Sequence, residues 1–291
     1  MTGVTESVRR RRLGLAQLSL LDHDPPSLVD VAAQAGYDFV GVRVRTVTPS
    51  ETPFDLSPGS PLLADTLRRM DDTGVGVEDI EFVLLDGVIG AETWKPALEA
   101  GAALGATSLT VAIDDTDDAR AVAALTTMGD DARQFGIALT VEPIAYNALH
   151  SIPDAARVAE ASGCLVLLDT LHVARFGATA EEIRAVGPLV SMLQLCDGPA
   201  TPPADRDGLV AESRFERAAP GEGEFDLRAL IENLPADLPV SVEVPSASKR
   251  KLMGPVAYAR HLREAAEAVL ARDTGAAASR LPGMRRRTAD E

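Results

Sequence analysis

The sequence predicts an α/β protein built as a single closed (β/α)₈ barrel. Three observations carry that expectation. Eight short, apolar, β-branched runs recur along the chain. Helical start signals lie between them, and a glycine stands where most of the helices should stop. Continuously apolar runs of this length read as strands buried on both faces. Strands alternating with helices imply parallel pairing through helical crossovers.

The runs, in order, are Leu13–Ser19, Asp38–Val44, Val75–Leu85, Thr107–Ile113, Ile137–Glu142, Cys164–Asp169, Val190–Cys196 and Pro239–Val244. The first helix is expected to open on a capping box of Ser27 with Asp30. Ser60-Pro61 places a cap and a first-turn proline before Leu62–Met70. A second capping box joins Thr179 to Glu182, and Asp226 can cap Leu227–Leu234. Gly36, Gly74, Gly105, Gly136, Gly163 and Gly187 mark helix ends. Eight such units between residues 13 and 271 match a closed barrel of roughly 250 residues. A doubly wound open sheet would carry a glycine-rich turn after its first strand. Here that stretch reads Leu20-Leu21-Asp22-His23-Asp24-Pro25-Pro26. Residues 1–12 are expected to be a flexible N-terminus and residues 272–291 a disordered tail.

Composition narrows the function classes. The 28 basic and 44 acidic residues give a net charge of −16. Nucleic-acid binding needs a basic surface that displaces counterions, so DNA and RNA are not expected partners. The apolar runs are all shorter than a membrane span. Arg9 to Arg12 precede a segment broken by Gly14, Gln17 and Ser19, which does not read as a secretion signal. The expected location is therefore cytoplasmic. The two cysteines, Cys164 and Cys196, are too few for a disulfide framework and are expected to be buried thiols.

Barrel enzymes place their chemistry at the C-terminal ends of the strands. Runs five to eight carry Glu142, Asp169, Gln194 and Glu243 at or near those ends. Three carboxylates converging in one mouth would repel each other, and burying them uncompensated is costly. A divalent cation is the simplest compensation. All four side chains offer oxygen, the donor that hard cations such as Mg²⁺ and Mn²⁺ prefer, with Co²⁺ and Zn²⁺ as further candidates.

The phrases Val141-Glu142-Pro143, Leu168-Asp169-Thr170-Leu171-His172, Gln194-Leu195-Cys196-Asp197, Pro220-Gly221-Glu222-Gly223-Glu224 and Val242-Glu243-Val244-Pro245 extend this pattern. Together they resemble the sugar phosphate isomerase/epimerase family of xylose-isomerase-like barrels. That family includes epimerases, inosose isomerases and dehydratases. The resemblance implies a metal held by Glu142, Asp169, Gln194 and Glu243, with Glu142 and Glu243 as the acid/base pair. It also implies that His172 helps to bind substrate. Two departures stand out. The seventh-strand ligand of the epimerases is usually histidine and here is Gln194, as in dehydratases of this class. The epimerases also carry an arginine six residues after that ligand, where this chain has Ala200, so Arg206 or Arg214 is expected to substitute.

The implied reaction begins when one carboxylate removes a proton beside a carbonyl whose oxygen the metal polarises. Returning the proton gives epimerisation or isomerisation, and losing a β-hydroxyl gives dehydration. The leading expectation is a metal-dependent isomerase or epimerase of a polyhydroxylated small molecule, a sugar, cyclitol or related hydroxy-ketone. The alternative is a lyase acting on a keto cyclic substrate. An abasic-site endonuclease would need more than the 4 histidines present, and a basic groove. A non-catalytic barrel would not be expected to keep both Glu142 and Glu243. Further substrate contacts are expected from Arg43 at the second strand, His150 after the fifth and Lys249 after the eighth. The long loop from Asp197 to Asp226 is expected to wall or cover the substrate. Barrels of this kind often pair through surface helices, so a homo-oligomer is compatible with the sequence.

Overall fold

The computed structural model describes residues 11–48 and 51–277. Eight parallel strands close into a barrel in sequence order, the last pairing back onto the first. They are β1 (Leu13–Ala16), β2 (Phe39–Arg43), β3 (Gly76–Leu85), β4 (Ser108–Ile113), β5 (Ala138–Glu142), β6 (Leu165–Asp169), β7 (Val190–Leu195) and β8 (Val240–Val242). Each lies inside one of the eight apolar runs. Among the described residues eleven α-helices flank them: α1 (Pro25–Ala35), α2 (Pro61–Thr73), α3 (Ala91–Leu104), α4 (Asp118–Arg133), α5 (Ile152–Ser162), α6 (Thr170–Phe176), α7 (Ala180–Val186), α8 (Arg206–Phe215), α9 (Leu227–Ile231), α10 (Ala247–Met253) and α11 (Pro255–Ala277). The backbone of α11 thus runs past residue 271. Residues 1–10 and 278–291, which hold most of the expected flexible N-terminus and tail, lie outside the described residues.

Local chemistry explains most element ends. Ser60 Oγ accepts from Leu63 N, and Asp226 accepts from Ala229 N. Thr179 and Glu182 form the full reciprocal capping box. The first helix begins earlier than expected, because Asp24 accepts from Ser27 N and Pro25 fits the first turn. The expected Ser27 cap therefore lies inside α1. Five of the six marker glycines have φ between 71° and 87°. Gly187 instead has φ −43° and leads into a 3₁₀ turn over Gly187–Leu189. The strand expected to reach Ser19 ends at Ala16, since Gln17–Leu20 wind into a 3₁₀ turn. That turn buries the Gln17 amide, whose Oε1 accepts from Arg43 N at 2.7 Å and whose Nε2 donates to the His23 carbonyl at 2.9 Å.

Two apolar layers support the barrel. The larger lies between strands and helices and includes Leu28, Leu98, Leu125, Val158 and Leu262. The smaller plugs the barrel floor with Phe39, Leu167 and Met192. The Phe39 ring fits only because residue 14 is glycine: a Cβ there would fall 2.0 Å from Phe39 Cε2. Alternate residues of a strand share a face. The inward face therefore carries Arg43 beyond Phe39, Asp169 beyond Leu167, and Gln194 beyond Met192.

Candidate active site

The four polar strand-end residues meet at one end of the barrel. Glu142 closes β5, Asp169 closes β6, and Gln194 in β7 is in register with Asp169. Glu243 directly follows β8. All four are buried, at 8%, 0%, 3% and 5% exposure. They line or underlie a cavity of about 380 Å³ whose walls include Arg43, Glu81, Phe82, Tyr146, His172 and Arg217.

Arg217 organises the centre. Its Nη1 donates to Asp169 Oδ2 at 2.6 Å and lies 3.0 Å from Glu243 Oε2. The same nitrogen reaches the Glu243 carbonyl at 3.3 Å. Its Nε and Nη2 donate to the carbonyl and hydroxyl of Ser213, at 2.8 and 3.3 Å. Gln194 Nε2 donates to Glu243 Oε1 at 3.2 Å. That bond fixes the amide so that Gln194 Oε1 is buried with no hydrogen-bond partner among the described residues. His172, in the first turn of α6, presents Nε2 3.9 Å from Glu142 Oε1 while its Nδ1 accepts from Ala145 N at 3.5 Å. A ring nitrogen that accepts leaves the proton on the other, so Nε2–H faces Glu142.

Burial sets the proton affinities first, and charge then separates them. Burial pushes Glu142 well above the usual carboxylate range, and the charges of Asp169 and Glu243 push it further. Glu243 is raised to about 8 by burial, with Arg217 opposing and Glu81 adding to the rise. Burial is the largest single influence on Asp169 and acts against its ionised form, but the Arg217 charge, His172 and the hydrogen bonds from Leu171 N and Arg217 together outweigh it and hold Asp169 below its ordinary value. His172 is lowered to about 4 by burial, so it is neutral at physiological pH. The site thus pairs one firmly ionised carboxylate with two that hold protons readily.

A divalent cation fits this donor set. Ligand atoms of Glu142, Asp169 and His172 lie within 4.8 Å of one another. Beside the Glu142 and Asp169 carboxylates, the orphaned Gln194 Oε1 adds a further buried acceptor, and an unpaired buried acceptor is costly unless something binds it. Glu243 is turned toward Gln194 and Arg217 instead, so the geometry groups His172, rather than Glu243, with Glu142 and Asp169.

A family model described as a xylose isomerase-like TIM barrel matches residues 29–270. The chain belongs to the xylose isomerase-like TIM barrel family. No curated protein matches it in sequence. Among solved structures, the IolI protein with a bound zinc atom superposes with a TM-score of 0.75 at 17% identity, covering 90% of this chain and 98% of that one. An L-ribulose 3-epimerase gives 0.65 at 18% identity, covering 94% and 100%. The probable 3-DHS dehydratase AsbF from Bacillus anthracis gives 0.64 at 12% identity, covering 93% and 100%. These likenesses share the family's barrel.

The remaining expected contacts divide. Arg43 lines the cavity, and its guanidinium lies 3.4 Å from Glu51 and 3.3 Å from Glu81. Arg206, His150 and Lys249 do not line it. Arg206 is 60% exposed, donates to the Tyr146 carbonyl and faces Asp114. His150 is exposed, with Nδ1 against the carbonyls of Asn147 and Ala148. Arg206 and His150 border a separate, shallower depression. Lys249 pairs with Glu222 at 2.7 Å. A place near a strand end brought these three to the rim, but a nearer partner turned each away from the cavity.

The long loop after β7 holds a helix, α8, and delivers Ser213, Arg214, Phe215 and Arg217 to the cavity wall. Arg217 was not among the residues expected from sequence. Its signal was its place three residues before Pro220-Gly221-Glu222-Gly223. The backbone pins it there: Arg217 N donates to the Pro245 carbonyl, and Ala218 exchanges two hydrogen bonds with Asp197.

Proposed function

We propose that this barrel is a divalent-metal-dependent isomerase or epimerase of a polyhydroxylated hydroxy-ketone. The observation that carries the reading is the pair Glu142 and Glu243. Both are buried, both have raised proton affinity, and they stand on strands three apart in a ring of eight. A group between them would face one carboxylate on each side.

Glu142, Asp169 and Gln194 would hold the metal, with Glu243 completing the set. When bound, the metal supplies Lewis-acid polarisation of the substrate's carbonyl oxygen. The protein's own groups do the rest. Either Glu142 or Glu243 removes the proton next to the carbonyl, and a general base of this kind contributes roughly 10²–10⁴-fold. The partner carboxylate returns a proton on the other face, which inverts that carbon. Return to the neighbouring carbon, with that carbon's hydroxyl proton passing to the former carbonyl oxygen, exchanges aldose and ketose. Arg217 keeps Asp169 ionised throughout and orients Glu243. Neutral His172 can donate its Nε2–H to a substrate oxygen.

A lyase is the second reading, and Gln194 favours it. An amide in the seventh-strand position keeps Glu243 hydrogen-bonded, so Glu243 can remove the proton beside the carbonyl while protonated Glu142 delivers a proton to the β-hydroxyl, which departs as water in place of proton return. Incubation of the Mn²⁺-equilibrated protein in deuterium oxide with ketoses, inososes and 3-dehydroshikimate, followed by proton NMR, tests both. Deuterium beside the carbonyl with retained hydroxyls supports the isomerase, and a dehydrated product supports the lyase. An absence of exchange across the panel, with no metal bound by elemental analysis, overturns both.

A further inference from the structure

The cavity is lined by four arginines: Arg43, Arg214, Arg217 and Arg250. Three are neutralised within the protein. Arg43 meets Glu51 and Glu81, Arg217 meets Asp169 and Glu243, and Arg250 meets Asp22 at 2.5 Å. Arg214 is different. Among the described residues its side chain makes no hydrogen bond and no ion pair, and it is only partly exposed. This chain carries 44 acidic against 28 basic residues, so carboxylates are plentiful. A guanidinium left without one at the wall of a cavity is the exception there.

Its position is built rather than incidental. Arg214 sits in the last turn of α8, and the next turn of chain is fixed through Arg217, whose guanidinium clasps Ser213. Ser213 Oγ is in turn held by the Tyr146 hydroxyl at 3.2 Å. Phe215, 64% exposed, lines the same cavity beside it and offers an apolar face to the body of a ligand. Arg217 reaches down to the buried carboxylates, whereas Arg214, three residues earlier, stays nearer solvent. A free guanidinium fork binds a planar or tetrahedral oxyanion through paired charge-assisted hydrogen bonds.

We propose that Arg214 is an anion-receiving subsite at the cavity mouth, so that the substrate carries a carboxylate or phosphate set apart from the carbon that loses its proton. The inference rests on the reading of this cavity as the substrate site, and it narrows that substrate to an acidic hydroxy-ketone.

The test does not depend on turnover. The full-length ¹⁵N-labelled protein, equilibrated with Mg²⁺, is titrated separately with acetate and with inorganic phosphate. The arginine Nε–H resonance missing from the R214Q spectrum identifies Arg214. The expected result is a saturable shift of that resonance with at least one anion, accompanied by backbone amide shifts around residue 214 whose titration shows binding at least tenfold weaker in R214Q. R214K, which keeps the charge, should retain part of the affinity. The anion that binds more tightly identifies the substituent. No saturable shift with either anion, or equal affinity in R214Q, overturns the proposal. So does a lower melting temperature as the only effect of R214Q. Failure here, with deuterium exchange intact on neutral ketoses, would leave the proposed reaction standing.

Discussion

Replacing Arg217 with glutamine removes the cation that bridges the buried carboxylates of Asp169 and Glu243. Asp169 and Glu243 are 0% and 5% exposed, and Arg217 is 5% exposed. Stripping one partner from a buried ion pair costs about 3–5 kcal/mol, because the remaining charge is left uncompensated. Unfolding entropy near 2.1 cal/mol/K per residue over this length converts that to a melting temperature lower by about 5–8 °C. A divalent ion should reverse part of the loss, since it takes over the neutralising role. At a hundredfold excess over its dissociation constant, a bound ion stabilises by about 2.7 kcal/mol. It should also bind R217Q more tightly than the parent, where Arg217 already occupies an oxygen of Asp169. Thermal melts of both proteins in EDTA, and again in Mn²⁺, measure this. The reasoning fails if R217Q melts within about 2 °C of the parent in EDTA. It also fails if Mn²⁺ raises both proteins equally.

Other expectations follow from the same geometry. Gln194→Leu removes the orphaned acceptor together with the amide donor to Glu243, so the EDTA-treated variant should lose about 1–3 kcal/mol in urea unfolding, while its Mn²⁺ affinity by calorimetry should fall at least tenfold; unchanged affinity would remove Gln194 from the ligand set. Gly14→Ala drives a Cβ into the Phe39 ring and should cost about 1–3 kcal/mol in urea unfolding, relieved by adding Phe39→Leu; no loss of stability would refute the packed floor. Glu243 titrates near 8 when folded, above its ordinary value of 4.5. A raised carboxylate stabilises the fold fully below its unfolded pKa and loses that contribution as pH rises through the folded value. The metal-free protein should therefore melt progressively lower between about pH 4.5 and pH 8, and Mn²⁺ should bind more weakly as pH falls below 8. A melting temperature flat across that window would contradict the burial argument.

The barrel was legible because each strand is buried on both faces and so writes itself as an apolar run. The four polar residues at or near strand ends were legible for the same reason: Glu142, Asp169, Gln194 and Glu243 interrupt apolar runs at the end where this fold keeps its chemistry. Arg217 was not, because it reaches Asp169 across 48 positions from a loop with no period of its own. Helix α8 was hidden likewise, since its only buried residues are Glu212 and Ser213, and it shows no apolar stripe. Arg206, His150 and Lys249 show the opposite failure. Chain position placed them near the mouth, but Asp114, local carbonyls and Glu222 supply nearer partners that turn them outward. Which of two partners a long side chain takes is decided by tertiary distance, which sequence spacing does not carry.

The central claim is that Glu142 and Glu243 exchange a substrate proton across the cavity. The most direct measurement compares deuterium entry beside a substrate carbonyl in the parent, Glu142→Gln and Glu243→Gln, all Mn²⁺-equilibrated and verified as folded by circular dichroism. Each variant is isosteric, and the account expects each to lose exchange by roughly 10²-fold or more. Full exchange in both variants would contradict it.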